Sequence, residues 1–405
     1  MKIAIVHDWL TVYAGAERVL AEMLGLYPDA DLFSLIDYLP KSQRGFLGGR
    51  VPRTSFMQHL PLVRRFYRRY LPLMPTAIER FDLNDYDLVL SSSNAVAKGV
   101  LTHPEQLHIC YLQARNLKYA YEDRAEYPGG AFRRLVEDAA LTWVRAWDQL
   151  ASRRPDLTVA NSQYVSRWHL HRHGIPSRVI YPPVDTRIFA DYPQTPKEDY
   201  YVTVGRLEPY KRMDLLVEAF RGLPYRLQVV GSGTQMKTLQ RMAPENVSFV
   251  GYREPAAVAA LLSRARAFVF AGREDFGIAA LEAQAAGTPV IAFGGGGVAE
   301  TIRGLEHDHP TGVLFARQTI PDVVHAIEIF ERSALLIRPD ACQANARRFE
   351  VERFRTEFSS FVAETIVEWN KYGSALRHQA DRIARTPHLS GNDEELGSLK
   401  ALTRR

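Results

Sequence analysis

The sequence predicts an α/β protein built from two doubly wound domains, each with a parallel sheet between layers of helices. Three observations support this prediction. A chain of 405 residues is too long for one hydrophobic core. Apolar runs such as Ala267–Ala271 are typical of strands buried on both faces of a parallel sheet. In the second half a strand–helix unit recurs roughly every 20 to 25 residues, as a doubly wound sheet requires.

The composition is ordinary for a globular protein and argues against several classes. Hydrophobic residues make up 46% of the chain, charged residues 24%, and the net charge is +5. This charge fits an anionic ligand or membrane surface and is too small to indicate nucleic acid. The two cysteines predict neither a disulfide framework nor a zinc site. Because we find no apolar stretch of about 18 residues and no signal-peptide pattern, we expect a cytoplasmic protein.

The first half opens with a predicted strand, Ile3–Val6, and a loop that reaches a helix at Gly15. A glycine there lets the backbone approach a ligand closely, although the G-x-G-x-x-G dinucleotide fingerprint is absent. Two later strands, Asp87–Ser93 and His108–Leu112, end in polar residues. Open α/β sheets bind ligands at such strand ends.

Residues 54–80 interleave aromatic and apolar side chains with arginines. Pro61, Pro72 and Pro75 bracket a predicted helix of about three turns. A basic, aromatic, amphipathic segment of this kind can lie on an anionic lipid surface, which predicts peripheral membrane contact through residues 54–75. A helix that packs on its own domain, with its arginines in solvent, explains the same pattern.

The loop after the predicted strand Tyr200–Val204 carries Arg206 and Lys211 as the expected anion contacts, with the adjacent Arg212 less favoured. A diphosphate carries about two negative charges, and two cations at a strand end would neutralise it as a sugar departs. Downstream, the glycine-rich turn at Gly231 leaves room for a flat base or a ribose. The backbone near Tyr252 could contact the edge of that base.

The most informative stretch is Glu274–Glu282, which follows a buried strand and begins a short helix that Gly287 ends. Backbone N–H groups at the helix start, with the positive end of the helix dipole, suit a phosphate. The two carboxylates, Glu274 and Glu282, suit the hydroxyls of a sugar or a ribose instead. The stretch therefore indicates a nucleotide-sugar site. The residues expected at the helix start are Phe276, Gly277, Ile278 and Ala279.

This Glu–seven residues–Glu spacing, with Phe276-Gly277 inside it, resembles the motif of the retaining GT-B glycosyltransferases of family 4, the glycosyl transferases group 1. The resemblance covers roughly residues 1–372 and is strongest over 200–303. It implies two Rossmann-like domains that face a central cleft. It also implies a catalytic set in which Arg206 and Lys211 contact the donor pyrophosphate and Glu274 the donor sugar, while Glu282 binds the ribose.

Two positions depart from the family pattern. The first loop, where the family has a Gly-Gly pair near the donor phosphates, contains Ala14-Gly15. After the strand His108–Leu112, related enzymes carry a His-Thr-Pro run near the reacting centre, but here Gln113 stands in place of the histidine. Glutamine can bond a sugar hydroxyl but cannot act as a base. The resemblance places Gln113, Arg115 and Lys118 on the acceptor side, where Arg115 and Lys118 either contact an anion or are exposed surface charges.

The glycine run 294–297 predicts either φ > 0 with close ligand approach or a flexible turn.

The pattern and the resemblance together give the expected domain organisation. The predicted parts are an N-terminal acceptor-side domain (1–184), a linker (185–199), a C-terminal nucleotide-sugar-binding domain (200–342), a helix that crosses back to the first domain (343–372) and a tail (373–405).

The resemblance implies retaining transfer of a mannose- or rhamnose-like hexosyl unit from a nucleoside-diphosphate sugar, with a GDP-sugar preferred. The acceptor would be a hydroxyl of a glycan or lipid-linked molecule in bacterial surface polysaccharide assembly, in the cytoplasm or at the inner face of the membrane. No metal or other cofactor is expected, because side-chain cations carry the charge and no D-x-D site is evident. Two alternatives remain: a nucleotide-sugar epimerase on the same fold, and a non-catalytic nucleotide-sugar-binding partner protein.

Overall fold

The computed structural model describes residues 1–115, 117–121, 131–189 and 196–385. The side chains of residues 118–119, 131–137 and 372–385 are outside this description. The chain divides into two compact units, Met1–Ser360 and Phe361–Arg405. The predicted linker falls partly on residues 190–195, and the predicted tail partly on residues 386–405, both of which lie outside the described residues.

The first sheet has seven parallel strands in the described part of the chain, in the order β3-β2-β1-β4-β5-β6-β7. Strand β1 lies between β2 and β4, so the winding direction reverses beside it. Ligands of open α/β sheets bind at such switch points. The strands are β1 (Ile3–His7), β2 (Asp31–Ser34), β3 (Arg53–Thr54), β4 (Leu88–Ser93), β5 (Leu107–Leu112), β6 (Leu157–Ala160) and β7 (Arg178–Val179).

The second sheet repeats this plan with six parallel strands among the described residues, in the order β10-β9-β8-β11-β12-β13. Its switch point lies between β8 and β11. The predicted pair of doubly wound α/β domains is therefore confirmed. The strands are β8 (Tyr200–Val204), β9 (Arg226–Val230), β10 (Val247–Gly251), β11 (Ala267–Phe270), β12 (Val290–Phe293) and β13 (Gly312–Phe315).

Each domain buries its own hydrophobic core between its sheet and its helices. In the first core Val6 and Val89 are fully buried, and in the second Val202, Phe268 and Ile291 are buried to the same degree. All residues of β4, β5, β11 and β12 are buried, which explains why these strands appear in the sequence as continuous runs instead of alternating patterns.

Helices follow most of the strands. Those of the first domain are α1 (Gly15–Leu26), α2 (Val63–Phe66), α3 (Met74–Glu79), α4 (Lys118–Tyr121), α5 (Ala131–Ala151) and α6 (Gln163–His173). Those of the second domain and the C-terminal segment are α7 (Met213–Phe220), α8 (Met236–Met242), α9 (Pro255–Arg264), α10 (Ile278–Ala285), α11 (Ile320–Ser333), α12 (Pro339–Arg347) and α13 (Val351–Arg385).

The prediction of one three-turn helix within residues 54–80 is wrong. The structure has two short α-helices, α2 and α3, and 3-10 turns at Phe56–His59 and Tyr67–Leu73. Leu62 adopts a left-handed conformation with φ of 55°, which separates the first turn from α2. Pro72 lies inside the second 3-10 turn, where it has no N–H to donate to a regular helical ladder.

The segment predicted as one helical stretch from residue 343 to 372 is also divided. Helix α12 ends at Arg347, and α13 begins at Val351 and continues to Arg385. Between them, Phe349 O accepts a hydrogen bond from Val184 N at 2.9 Å. The start of α13 then lies against the first sheet, where the ring of Tyr111 on β5 contacts Phe354 with centroids 6.0 Å apart.

Candidate active site

Three predicted site residues lie at the switch point of the second sheet. Arg206 and Lys211 are in the loop that follows β8, and Glu274 is in the loop that follows β11. Strands β8 and β11 are hydrogen-bonded neighbours, so the two loops leave the same edge of the sheet side by side. The fold thus brings together cations and a carboxylate that are more than sixty residues apart in the sequence.

Lys211 and Glu274 are in direct contact. The Lys211 ammonium donates a short hydrogen bond to Glu274 Oε1, and the two side chains are only 16% and 21% exposed. Gly272 makes this proximity possible, because a methyl group there would lie 3.0 Å from the Lys211 backbone. The ammonium also lies 5.4 Å from the centroid of the Phe270 ring. The loop therefore holds one cation beside one carboxylate at a partly enclosed position.

Arg206 stands apart from this pair. Its side chain is exposed, and its Nη2 atom donates to the Tyr210 hydroxyl at 2.8 Å. Within the described ranges, no carboxylate forms an ion pair with it. An incoming anion can therefore contact the Arg206 guanidinium without separating a charge pair.

Gly231 lies where the turn after β9 packs on the loop after β8, and only a glycine fits there. Its φ is 134°, and a methyl group there would lie 1.9 Å from Gly205 O. The next residue in this turn, Ser232, accepts a hydrogen bond from Leu207 N at 3.0 Å. Gly231 therefore lets the β9 turn approach the backbone beside Arg206. Tyr252, the other predicted contact of the base, is 58% exposed beyond the edge strand β10.

The start of α10 is open to a ligand. Gly277 caps the helix in a left-handed conformation with φ of 99°, and no side chain caps the N-terminus. The backbone of Phe276, Gly277, Ile278 and Ala279 therefore forms the turn and the first helical positions. Gly15 of the first domain lies against this turn, since a methyl group there would be 2.9 Å from Ile278 Cδ1. The fold thus places the first-domain loop against the predicted phosphate position.

Glu282, one helical turn into α10, contacts the first domain as well. Arg18 Nη1 donates to Glu282 Oε1 at 2.5 Å, and the carboxylate is 13% exposed. The negative charge of Glu282 raises the pKa of Arg18, which stays a cation at every relevant pH. The predicted ribose carboxylate therefore already carries a cationic partner from the opposite domain.

The glycine run 294–297 serves close packing of the backbone. None of its glycines is among the residues of positive φ in the described chain. Methyl groups at Gly296 and Gly297 would lie 2.4 Å from Glu274 O and 2.0 Å from Asp275 O. Gly297 N donates to Glu274 O at 2.8 Å. The predicted φ > 0 is therefore wrong for this run, and the group that approaches Gly296 and Gly297 is the backbone of the β11–α10 loop.

On the acceptor side, Gln113 is buried in a polar network at the ends of β1, β4 and β5. Its Nε2 atom donates to Ser92 Oγ at 3.0 Å and to Ala16 O at 3.4 Å. Ser92 Oγ also lies 3.0 Å from His7 Nδ1, and His7 Nε2 lies 3.6 Å from Glu17 Oε1. These contacts fix the amide nitrogen of Gln113 within the protein. The assignment of Gln113 to the acceptor side remains a prediction.

Of the two cations predicted on the acceptor side, the structure describes the side chain of Arg115 but not that of Lys118. Arg115 was predicted as an anion contact beside the acceptor, yet only 3% of its side chain is exposed and its Nε atom donates to Asp275 Oδ1 at 2.7 Å. The guanidinium is therefore paired with a protein carboxylate of the second domain, because burial of a lone cation would be unfavourable. The side chain of Lys118 lies outside the described residues.

Sequence reasoning missed several polar residues that shape this region. Asp8, at the end of β1, is fully buried and accepts hydrogen bonds from the backbone N–H groups of residues 94–97. Glu300 accepts from Gln163 N at 2.8 Å and from Tyr164 N at 2.7 Å. A signal was available for Asp8, since an aspartate directly after a first strand can hold the loop after the neighbouring strand. No local pattern marks Glu300.

The electrostatic environment of Glu300 also includes Tyr181. Burial raises the pKa of the Tyr181 phenol to about 12, and the negative charge of Glu300 adds to this rise. The Tyr181 ring lies 5.7 Å from that of Phe276, centroid to centroid. This tyrosine therefore stays neutral at physiological pH beside the loop that holds Glu274.

The second half of the chain is similar to a known protein family. Residues 184–349 match the family model of the glycosyl transferases group 1. This stretch contains Arg206, Lys211, Glu274 and Glu282. The matched stretch thus coincides with the second sheet and the site that it carries.

Curated relatives match part of the chain. A D-inositol 3-phosphate glycosyltransferase of Mycobacterium sp. (strain JLS) is 29% identical over 253 residues, which are 56% of this chain and 54% of the relative. The enzyme of the same name from Geodermatophilus obscurus is 33% identical over 225 residues, 48% of each chain. The chain spans about half the length of the curated relatives it matches.

Solved structures match over most of the chain at low identity. Anabaena HepE in complex with UDP-glucose has a TM-score of 0.64 at 18% identity, covering 90% of this chain and 100% of HepE. Sucrose-phosphate synthase of Thermosynechococcus elongatus has a TM-score of 0.67 at 17% identity, covering 91% and 100%. At such identities the similarity shows the fold, which is the two-domain GT-B fold that the sequence predicts.

The described residues bear on metal binding and on insertion into a membrane. Among these residues, no three histidine, cysteine, aspartate or glutamate side chains converge to hold a metal ion. No helix in the same ranges is both long and apolar enough to cross a bilayer. The predictions that no metal is required and that the protein contacts a membrane surface remain predictions.

Proposed function

We propose that this protein is a glycosyltransferase that moves a hexosyl unit from a nucleoside-diphosphate sugar to a hydroxyl group. The observation that carries the proposal is the convergence of Arg206, Lys211 and Glu274 at one switch point, with Glu282 one helical turn beyond. Two cations suit a diphosphate, and two carboxylates suit the hydroxyls of a sugar and a ribose. The match to the group 1 family over residues 184–349 supports this assignment.

In the proposed reaction Arg206 and Lys211 stabilise the diphosphate as its bond to the anomeric carbon breaks. Backbone N–H groups at the start of α10 add to this stabilisation. Glu274 binds hydroxyls of the donor sugar and Glu282 those of the ribose. The acceptor oxygen attacks from the side that the diphosphate leaves, and the departing phosphate oxygen takes the acceptor proton. The anomeric configuration is retained, and a trapped covalent glycosyl-enzyme would contradict this route.

We propose that the reaction needs no metal ion, because Arg206, Lys211 and the dipole of α10 supply the positive charge that a divalent cation would otherwise bring. The test is the initial rate of sugar transfer after exhaustive treatment with a chelator. The expected rate equals that of untreated enzyme. A rate that falls on chelation and returns with Mg²⁺ or Mn²⁺ would contradict the proposal.

For the donor we propose a mannose- or rhamnose-like sugar on GDP, with UDP-sugars as the competing class because HepE is described with UDP and UDP-glucose. A thermal-shift screen of UDP, GDP, ADP and their sugars tests this directly. A ligand at about 100 times its Kd stabilises the fold by about 2.7 kcal/mol. The base of the donor is that of the nucleotide that raises the unfolding temperature of wild type most. Arg206→Ala should lose most of this increase. If no nucleotide stabilises wild type, the proposed function fails.

For the acceptor we propose a glycan or a lipid-linked glycan of bacterial surface polysaccharide assembly. The name of the curated relatives supports a second candidate, a free inositol phosphate. Both lipid-linked and inositol acceptors carry phosphate, and the exposed arginines of residues 64–69 provide a basic surface for it. Arg68 of this surface lies within electrostatic range of Glu208 in the β8–α7 loop. Transfer assays with each acceptor, followed by mass spectrometry, distinguish them.

We also propose that residues 54–75 contact an anionic membrane surface. Leu62 and Leu73 are 71% and 42% exposed beside the arginines, and Arg69 lies 4.4 Å from the Phe66 ring centroid. Exposed apolar side chains among cations are typical of a surface that binds lipid headgroups. The expected result is sedimentation with phosphatidylglycerol vesicles but not with phosphatidylcholine vesicles. Arg69→Glu should abolish sedimentation, whereas Arg338→Glu, on a different exposed surface, should not.

A further inference from the structure

The loop that carries Glu274 is bonded to the first domain through the residue next to it. Asp275 Oδ1 accepts from Arg115 Nε at 2.7 Å, and Asp275 O accepts from Ser162 Oγ at 2.6 Å. Arg115 and Ser162 belong to the first domain, whereas Glu274 and Asp275 belong to the second. Both the side chain and the main chain of Asp275 are therefore held from the opposite domain.

A second carboxylate makes a parallel connection. Glu300, at the end of a 3-10 turn that begins at Gly297, accepts from Gln163 N and Tyr164 N at the start of α6. Ser162 is the N-cap of this helix, because its hydroxyl accepts from Val165 N at 3.1 Å. The start of a helix is favourable for a carboxylate, since its first N–H groups have no partner within the helix. Here that carboxylate comes from the other domain.

The two connections end on backbone segments that are packed against each other. Gly297 N donates to Glu274 O, and a methyl group at Gly297 would lie 2.0 Å from Asp275 O. The 3-10 turn that carries Glu300 is therefore packed on the peptide groups that flank Asp275. The hydrogen bonds from the start of α6 and from Arg115 therefore end on these two segments, one of which also carries Glu274.

We propose that Asp275, Glu300 and Arg115 are positioning residues that hold Glu274 in its reactive place only when the two domains are in contact. This inference rests on the proposed function, because it assigns Glu274 to the donor sugar. Arg206 and Lys211 lie in the loop after β8, to which none of these three residues belongs, so we expect replacement of the three residues to change nucleotide affinity little.

The buried ion pair between Arg115 and Asp275 supports an energetic coupling between the two domains. Arg115 is 3% exposed and the Asp275 side chain 11%, so the two charges interact largely out of contact with water. Loss of one partner from a buried pair is commonly more destabilising than replacement of both partners by neutral groups. The arginine also lies 5.1 Å from the Tyr164 ring centroid, which joins the two connections on the first-domain side.

The experiment compares Asp275→Asn, Arg115→Lys and the double variant Arg115→Gln/Asp275→Asn with wild type. We expect kcat to fall by at least about tenfold in Asp275→Asn, while KM for the donor and Kd for its nucleoside diphosphate change by less than about threefold. Arg115→Lys, which keeps the cation but not the Nε–H donor, should lower kcat by a smaller factor than Asp275→Asn. The double variant should unfold at a higher temperature than Asp275→Asn but keep its low kcat.

Glu331→Gln is the matched control. Arg266 Nε donates to Glu331 Oε1 at 2.6 Å within the second domain alone, so this variant also removes a carboxylate from an arginine pair. It should lower the unfolding temperature and leave kcat unchanged. If kcat of Asp275→Asn stays within about twofold of wild type at equal folded fraction, the inference is overturned. Should Asp275→Asn not fold, an unchanged kcat in Arg115→Lys and Glu300→Gln overturns it.

Hydrogen exchange tests the contact independently of activity. In Asp275→Asn and Glu300→Gln the amides of Gln163 and Tyr164 should exchange at least about tenfold faster than in wild type, since their acceptor is weakened or displaced. The amides of α11 should be unchanged. Equal exchange of the two amides in all variants would contradict the domain contact. If wild type transfers no sugar but these amides respond as stated, the proposed function fails while the contact stands.

Discussion

Replacement of Lys211 by methionine tests the proposed chemistry most directly. Methionine keeps the length and the apolar part of the side chain and removes only the ammonium group. In the unliganded protein this ammonium contacts Glu274, and both side chains are four-fifths buried or nearly so. In the proposed complex it would also neutralise charge that builds up on the diphosphate.

The expected loss follows from the electrostatics. Two unit charges about 4 Å apart interact by about 4 kcal/mol at an effective dielectric constant near 20. Removal of one such stabilising group from an active site commonly lowers kcat by about 10²- to 10³-fold, or about 2.7–4 kcal/mol. We therefore expect a decrease of that size in kcat for Lys211→Met. The free energy of unfolding should fall much less, by about 1 kcal/mol, because water still reaches part of the pair.

The assay is release of nucleoside diphosphate at saturating donor and acceptor, with the glycosylated product identified by mass spectrometry. Arg212→Gln is the matched control, since Arg212 is adjacent in sequence but its Nε atom points to Asp214 Oδ1 at 3.3 Å. This control should keep wild-type kcat. If Lys211→Met retained more than about one-tenth of wild-type kcat, the role of Lys211 in stabilising the leaving group would be refuted.

Three further predictions concern the fold and the donor site. Gly231→Ala should destabilise the protein by more than about 2 kcal/mol in urea unfolding, because its methyl group would lie 1.9 Å from Gly205 O at a φ of 134°; an unchanged midpoint would contradict the stated packing. Burial lowers the pKa of His108 in the folded protein to about 3. As the pH falls below 6.5, the His108 imidazole therefore binds a proton in the unfolded chain but not yet in the folded protein, which favours unfolding. His108→Gln should therefore lose about 2 kcal/mol less stability than wild type between pH 7 and pH 5, and equal losses would show that His108 is not held neutral. Glu282→Gln should raise KM for the donor about tenfold with a smaller effect on kcat, because ribose binding persists from ground state to transition state. Arg18→Gln, which removes the partner of Glu282, should shift KM in the same direction, and an unchanged KM in both would exclude Glu282 from the donor site.

Much of the fold could be predicted because its signals are local. Buried strands such as β11 and β12 are continuous apolar runs, and Gly287 follows the helix α10 between them. Parallel strands with short connections allow few topologies, and ligands bind where the winding direction reverses. The common donor site of Lys211 and Glu274, by contrast, was predicted from the resemblance to a known family.

The errors arose where a local pattern permits more than one backbone path. Residues 54–80 have the periodic apolar positions of a helix, yet a left-handed Leu62 and Pro72 divide them into short turns. The glycine run 294–297 was compatible with ligand approach. In the structure the carbonyl oxygens of Glu274 and Asp275 lie against Gly296 and Gly297 instead. Composition alone does not say which neighbour will approach a glycine.

Pairs across the two domains are the least predictable part of the site. Arg18 and Glu282 are 264 residues apart, and Arg115 and Asp275 are 160 residues apart. No periodicity relates such positions, and each residue alone is compatible with an exposed charge. Their burial becomes favourable only when the partner is present, since an unpaired charge in that place would be costly. The hydrogen bonds from Arg115 and Ser162 to Asp275 join the Glu274 loop to the first domain, so we predict that a change in the first domain lowers the proposed activity without contact with the donor.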